Sequence, residues 1–111
     1  MTVQELIDSG KYEILNSGSN TDREIGKVFC CDLLSVAMSH APSGCAWVTV
    51  MGNMNTLAVA SLTDTAVVIM GEGVSLDDAA MKKAKEQEIT VLKSGKPVFD
   101  TALEIHGMIN A

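Results

Sequence analysis

The chain has 111 residues, 47% of them apolar and 20% charged, and a formal net charge of −6. That length and apolar content give one domain with a single core and exclude a disordered chain. The acidic balance, with Arg23 as the lone arginine, excludes a cationic surface for nucleic acid.

No run of about 18 apolar residues exists to cross a membrane, and Met1-Thr2-Val3-Gln4-Glu5 lacks the basic and apolar parts of a signal peptide. Three cysteines make an odd count, without zinc-ligand spacing or a disulfide framework. A reducing, cytoplasmic location is therefore expected. With only Tyr12, Phe29, Trp47 and Phe99 as aromatics, the core must be built from Val, Ile, Leu, Ala and the seven Met.

Thr2 with Glu5 three residues on predicts a capped helix from Val3 to Ser9, stopped by Gly10. Tyr12 to Leu15 reads as a short strand, and the polar loop Asn16-Ser17-Gly18-Ser19-Asn20 is expected to be the least ordered segment. Ile25 to Cys31 suits a strand or the first turns of a helix. A strand is favoured because Asp32 is a good N-cap for a helix over Leu33 to Met38. His40 to Gly44 then breaks the chain.

Two apolar runs follow, Cys45 to Val50 and Ala66 to Met70. They are closed by Met51-Gly52-Asn53 and Gly71-Glu72-Gly73, and a helical segment centred on Leu57 to Leu62 lies between them. Buried strand, turn, helix, buried strand is the pattern of a parallel βαβ unit. Ser75 is the expected cap of a helix reaching Gln87, with Leu76, Ala79, Ala80 and Ala84 facing inward. Asp78 and Lys82 form an i, i+4 pair worth about 0.3 kcal/mol. Ile89 to Leu92 is a strand, Lys93 to Pro97 a turn, and Val98 to Ile109 a final helix with Leu103 and Ile105 as core contacts. The expected fold is α/β: one domain over residues 1–111, with a small, mostly parallel sheet of four to five strands and flanking helices.

In such sheets ligands bind beyond the carboxyl ends of the strands. Gly52, Asn53, Asn55, Gly71 and Gly73 stand in those turns and are the candidate ligand contacts. Backbone amides at a helix N-terminus with a nearby lysine suit an anion or a nucleotide phosphate. The competing reading is that these residues simply make tight turns and caps.

Gly95-Lys96 does not belong to a phosphate-binding loop. The motif's first glycine is replaced by Thr90 and its hydroxyl residue by Pro97. Cys30 and Cys31 are adjacent, so one of the pair is expected to be buried, and all three cysteines are read as small hydrophobes. His40 is assigned to the end of its helix and His106 to the surface of the last one. Neither has a flanking motif for nucleophilic catalysis. No catalytic residue, metal or cofactor is expected.

From Asp22 onward the chain resembles the DRTGG domain, a small α/β module found in HPr kinase amino-terminal regions and beside CBS and phosphotransacetylase domains. The resemblance is carried by Asp22-Arg23-Glu24-Ile25-Gly26, Cys31-Asp32-Leu33-Leu34-Ser35-Val36-Ala37-Met38 and Trp47-Val48-Thr49. Asn55-Thr56-Leu57-Ala58-Val59-Ala60-Ser61-Leu62 and Val68-Ile69-Met70-Gly71 complete it. It implies a non-catalytic regulatory or interaction module, often a homodimer, rather than an enzyme. With the strand-end turns as candidate contacts, the expected function is a module that acts by self-association and by binding a small anionic ligand such as a nucleotide. The alternative expectation is a binding subunit of a larger metabolic or redox enzyme complex.

Overall fold

Along Ala46–Thr49 every residue is buried, because successive side chains enter different cores on the two faces of one strand. Trp47 points into one apolar layer, with Leu57, Val68 and Ala80, while Ala46 and Val48 point into the other, with Val67, Ile69 and Ile105. Val67–Met70 alternates in the same way. Double burial is what turns these runs into continuous apolar stretches rather than alternating ones.

The computed structural model describes residues 1–111. The elements in order are α1 (Val3–Asp8), β1 (Glu13–Asn16), β2 (Val28–Cys30), α2 (Leu34–His40) and β3 (Ala46–Thr49). They continue with α3 (Met54–Leu62), β4 (Val67–Met70), α4 (Asp78–Glu86), β5 (Val91–Lys93) and α5 (Val98–Ile109). One five-stranded sheet has the order β1-β5-β4-β3-β2. Strands β2 to β5 are parallel, and β1 runs antiparallel to β5 at one edge. The two short early strands thus join the main sheet at its opposite edges.

Because β2, β3, β4 and β5 are neighbours in chain order, each crossover advances in the same direction. Right-handed crossovers of that kind place every connecting helix on one face. Helices α2, α3 and α4 accordingly form one layer, with α3 packed between the other two. After β5 the chain returns over the opposite face, where α5 crosses β2 and β3, and α1 adds Val3 and Leu6 to the same core. No helix is long and apolar enough to cross a membrane.

Several local expectations are corrected. Asp32 does not cap α2. Its carboxylate accepts from the Thr49 hydroxyl at 2.7 Å and the Val50 amide at 3.0 Å, which ties the β2–α2 connection to the end of β3. Helix α2 starts at Leu34 with no side-chain cap. Asp77, not Ser75, caps α4 by accepting from the Ala80 amide at 2.8 Å, so Leu76 precedes the helix and packs from outside it. Ala79 is exposed, and Asp78 and Lys82 form no ion pair. In α5, Ile105 is fully buried but Leu103 is 56% exposed. The polar Asn16–Asn20 loop hydrogen-bonds to the segment entering β5. Asn16 donates to the Ile89 carbonyl at 2.8 Å, the Gly18 amide to Thr90 Oγ1 at 2.9 Å, and the Ser19 amide to the Glu88 carbonyl at 3.3 Å.

Candidate functional site

Parallel β3, β4 and β5 bring the turns after Thr49, Met70 and Lys93 to one rim. All five candidate residues lie on it: Gly52 and Asn53 in the β3–α3 connection, Asn55 in the first turn of α3, and Gly71 and Gly73 in the β4–α4 connection. The two turns touch through their backbones. The Asp77 amide donates to the Gly52 carbonyl at 3.0 Å, and Gly52 lies so close to the Ser75 carbonyl that no β-carbon fits between them. Asn53 is the N-cap of α3, its side chain accepting from the Thr56 amide at 3.2 Å. Asn55 is exposed in the first turn of that helix.

The Gly71–Gly73 turn is internally committed. The Gly71 amide donates to the Thr49 carbonyl at 2.9 Å, the Glu72 amide to Lys96 at 2.9 Å and the Gly73 amide to Ser94 at 2.8 Å. Glu72 and Gly73 both have positive φ, 57° and 71°, which folds the turn back onto the β5–α5 connection. These amides are therefore not available to a ligand. At the start of α3 the Met54 and Asn55 amides have no acceptor within the chain. Like the Gly52 and Asn53 amides before them they are open donors of this rim, and they stand at the positive end of a helix dipole.

Lys93, at the end of β5, donates from Nζ to the Ser75 hydroxyl at 3.0 Å and forms no ion pair. Lys96 is held by Glu104 at 2.7 Å. Glu104 also accepts from the Tyr12 hydroxyl at 2.6 Å. The lysine and the phenol hold its carboxyl below the usual range, while burial and the same carboxylate push the Tyr12 phenol far up.

A second polar cleft of about 190 Å³ lies at the opposite, amino edge of the parallel strands, where sequence reasoning placed nothing. Its lining includes Asn20, Arg23, Ser61, Asp64, Gln87 and Thr90. Arg23 grips Asp64 with two nitrogens at 3.0 and 2.8 Å, and Ser43 adds a hydrogen bond to the same carboxylate at 2.6 Å. Those donors lower the Asp64 carboxyl to about 2. The available sequence signal was the single arginine of the chain, but its partner is 41 positions away.

The cysteine expectation is half corrected. Cys45 is buried, whereas Cys30 is exposed and Cys31 is only partly covered. Cys30 is the last residue of the edge strand β2. Burial of its sulfur, then the Asp32 charge, still raise the Cys30 thiol. No group of three His, Cys, Asp or Glu side chains is placed to hold a metal ion. The His106 ring hydrogen-bonds only Asn110, and neither histidine hydrogen-bonds a cysteine or serine.

No family model and no curated protein matches the chain. Among solved structures, its fold is similar to the CBS and DRTGG domains of the regulatory region of Clostridium perfringens pyrophosphatase, complexed with the activator diadenosine tetraphosphate. The TM-score is 0.76 at 16% identity, covering 97% of this chain and 46% of that one. The chain thus spans less than half the length of that structure. At this identity the likeness is one of fold, and it agrees with the DRTGG-like architecture expected from the sequence.

Proposed function

We propose that this chain is a non-catalytic regulatory module that self-associates and binds a small anionic ligand of the nucleotide class at the carboxyl rim of its sheet. The observation carrying the reading is the open start of α3. There the Met54 and Asn55 amides lack acceptors, and the same rim carries Lys93, a lysine outside any ion pair. Asn53 and Asn55 contact the ligand in this reading. Gly52, Gly71 and Gly73 set the shape of the turns that frame it. The fold likeness to a regulatory region crystallised with a dinucleotide activator supports the same class of role.

A ligand that prefers one association state shifts the population towards that state, which is how such a module regulates without chemistry. The test is a thermal-shift and calorimetric series with orthophosphate, AMP, ATP and diadenosine tetraphosphate on the wild type, Lys93→Ala and Asn55→Asp. A binding ligand raises the melting temperature, because it stabilises only the folded state. Both variants are expected to weaken that rise. Silence across the series, or binding unchanged in both variants, refutes the rim as the site.

A further inference from the structure

The parallel ladder between β4 and β5 begins one hydrogen bond late. The Val68 amide donates to the Thr90 carbonyl at 3.0 Å. The preceding bond, towards the amino edge, would run from the Thr90 amide to the Ala66 carbonyl. It is not formed, and neither group has another partner within the chain. Thr90 is only 3% exposed, and a backbone donor in so buried a residue calls for a partner. Both residues line the amino-edge cleft.

The walls around this open pair are polar. Ser61 donates to Gln87 Oε1 at 3.0 Å, which fixes that side chain and leaves its amide nitrogen free to donate. Arg23 is locked onto Asp64, and the Glu88 carboxylate is in no ion pair. Asp64 and Glu88 have φ of 58° and 55°, each just past the C-cap of its helix, α3 and α4 respectively. Glycine is the usual residue there, because a β-carbon is strained in the left-handed conformation. Both positions instead keep a carboxylate at the cleft, and strain of this kind is retained where a side chain is used.

We propose that the amino-edge cleft is a second ligand site, taking a small uncharged polyhydroxylated molecule of polyol or monosaccharide size. A hydroxyl both donates and accepts, so a single one bridges the Ala66 carbonyl and the Thr90 amide in place of the missing ladder bond. Its neighbours find the Gln87 nitrogen as donor and the Glu88 carboxylate as acceptor. Charged ligands fit less well. An ammonium only donates and leaves the Thr90 amide unpaired, while an anion only accepts and leaves the Ala66 carbonyl unpaired. Arg23, the one cationic side chain of the lining, is already committed to Asp64. A planar base has nothing to stack on, since the apolar lining is Ala60, Ala66 and Ile89. The cleft, about 190 Å³, is also smaller than the roughly 300–1,000 Å³ that hold drug-sized ligands. This site lies at the other end of the strands from the rim and takes a different chemistry, so it stands or falls separately.

The test is a titration of the full isotope-labelled chain, followed by amide NMR and calorimetry. The probes are myo-inositol, D-ribose and D-glucose at millimolar concentration, with orthophosphate and putrescine as charged controls. The samples are the wild type, Gln87→Ala, Glu88→Gly and, as a rim control, Lys93→Ala. Glu88→Gly relieves the left-handed strain, so the variant folds at least as well as wild type and any loss of binding is not a loss of fold. The expected result is saturable binding of at least one hydroxylated probe, with the Thr90 amide among the largest shifts. Its dissociation constant should rise at least tenfold in Gln87→Ala and Glu88→Gly and stay unchanged in Lys93→Ala. No saturable binding of any hydroxylated probe, shifts that bypass Thr90, or an affinity indifferent to both cleft variants overturns the site. Saturation at Thr90 by orthophosphate or putrescine overturns the ligand class.

Discussion

Replacing Gly52 with Ala probes the contact that joins the two rim turns. A β-carbon at Gly52 would run into the Ser75 carbonyl oxygen, with Met70 Cε a further 3.4 Å contact. The obstacle is backbone, and it cannot swing aside as a side chain would. Relieving it means separating the β3–α3 and β4–α4 turns, which stretches the hydrogen bond from the Asp77 amide to the Gly52 carbonyl. Asp77 is also the cap of α4. Overpacking of this kind costs about 1–3 kcal/mol and a disturbed cap about another 1 kcal/mol, so roughly 2–4 kcal/mol is expected.

Two other glycines calibrate the effect. Gly73 has open space around it but a φ of 71°, so Gly73→Ala costs only the left-handed conformation, about 1 kcal/mol. Gly95 has open space and no positive φ. Gly95→Ala is therefore neutral or stabilising by about 0.5 kcal/mol, through the unfolded state. Urea unfolding followed by tryptophan fluorescence measures all three, since Trp47 is buried in the core. The expected order of loss is Gly52, then Gly73, then Gly95. If Gly52→Ala matches Gly95→Ala within error, the backbone contact between the two turns is not what requires glycine there.

Other outcomes follow from single contacts. Tyr12→Phe removes the 2.6 Å bond to Glu104 and leaves the carboxylate with Lys96, so denaturant unfolding should show a loss of about 1 kcal/mol. Asp32→Ala strips the partner from the buried Thr49 hydroxyl and from the Val50 amide, a loss of about 1–3 kcal/mol in the same assay. The Asp64 carboxyl, lowered from 3.8 to about 2 in the folded state, contributes stability that is complete above the unfolded value and disappears as pH falls through the folded one. Its side chain is 62% exposed, so screening keeps the contribution small. Stability measured between pH 5 and pH 2 should fall less steeply in Asp64→Asn than in wild type. In thiol labelling at neutral pH, Cys30 should react first, Cys31 next and Cys45 only on unfolding. The Cys30 rate should climb with pH beyond the ordinary thiol range, because its thiol is raised.

The sequence by itself determined the order and kind of the elements. Apolar runs at Ala46–Thr49 and Val67–Met70, a capping box at Thr2 and Glu5, and an uninterrupted Val98–Ile109 are local signals, written by side-chain period and cap chemistry. They also placed the rim turns together, because short crossovers between adjacent strands force parallel order.

What stayed out of reach depends on residues far apart in the chain. Asp32 leaves its expected cap because Thr49 and Val50 are nearer partners once β2 and β3 pair. Leu103 is exposed because α5 lies over β2 and β3, which turns Ile105 inward instead. The Gly71 and Gly73 amides, open donors by sequence, are consumed by Thr49 and Ser94 across neighbouring turns. The cleft lined by the Arg23–Asp64 pair exists only after α3 ends beside the chain entering β2. Period and capping are properties of a few consecutive residues, whereas the competition among partners is decided by which backbones the sheet sets side by side.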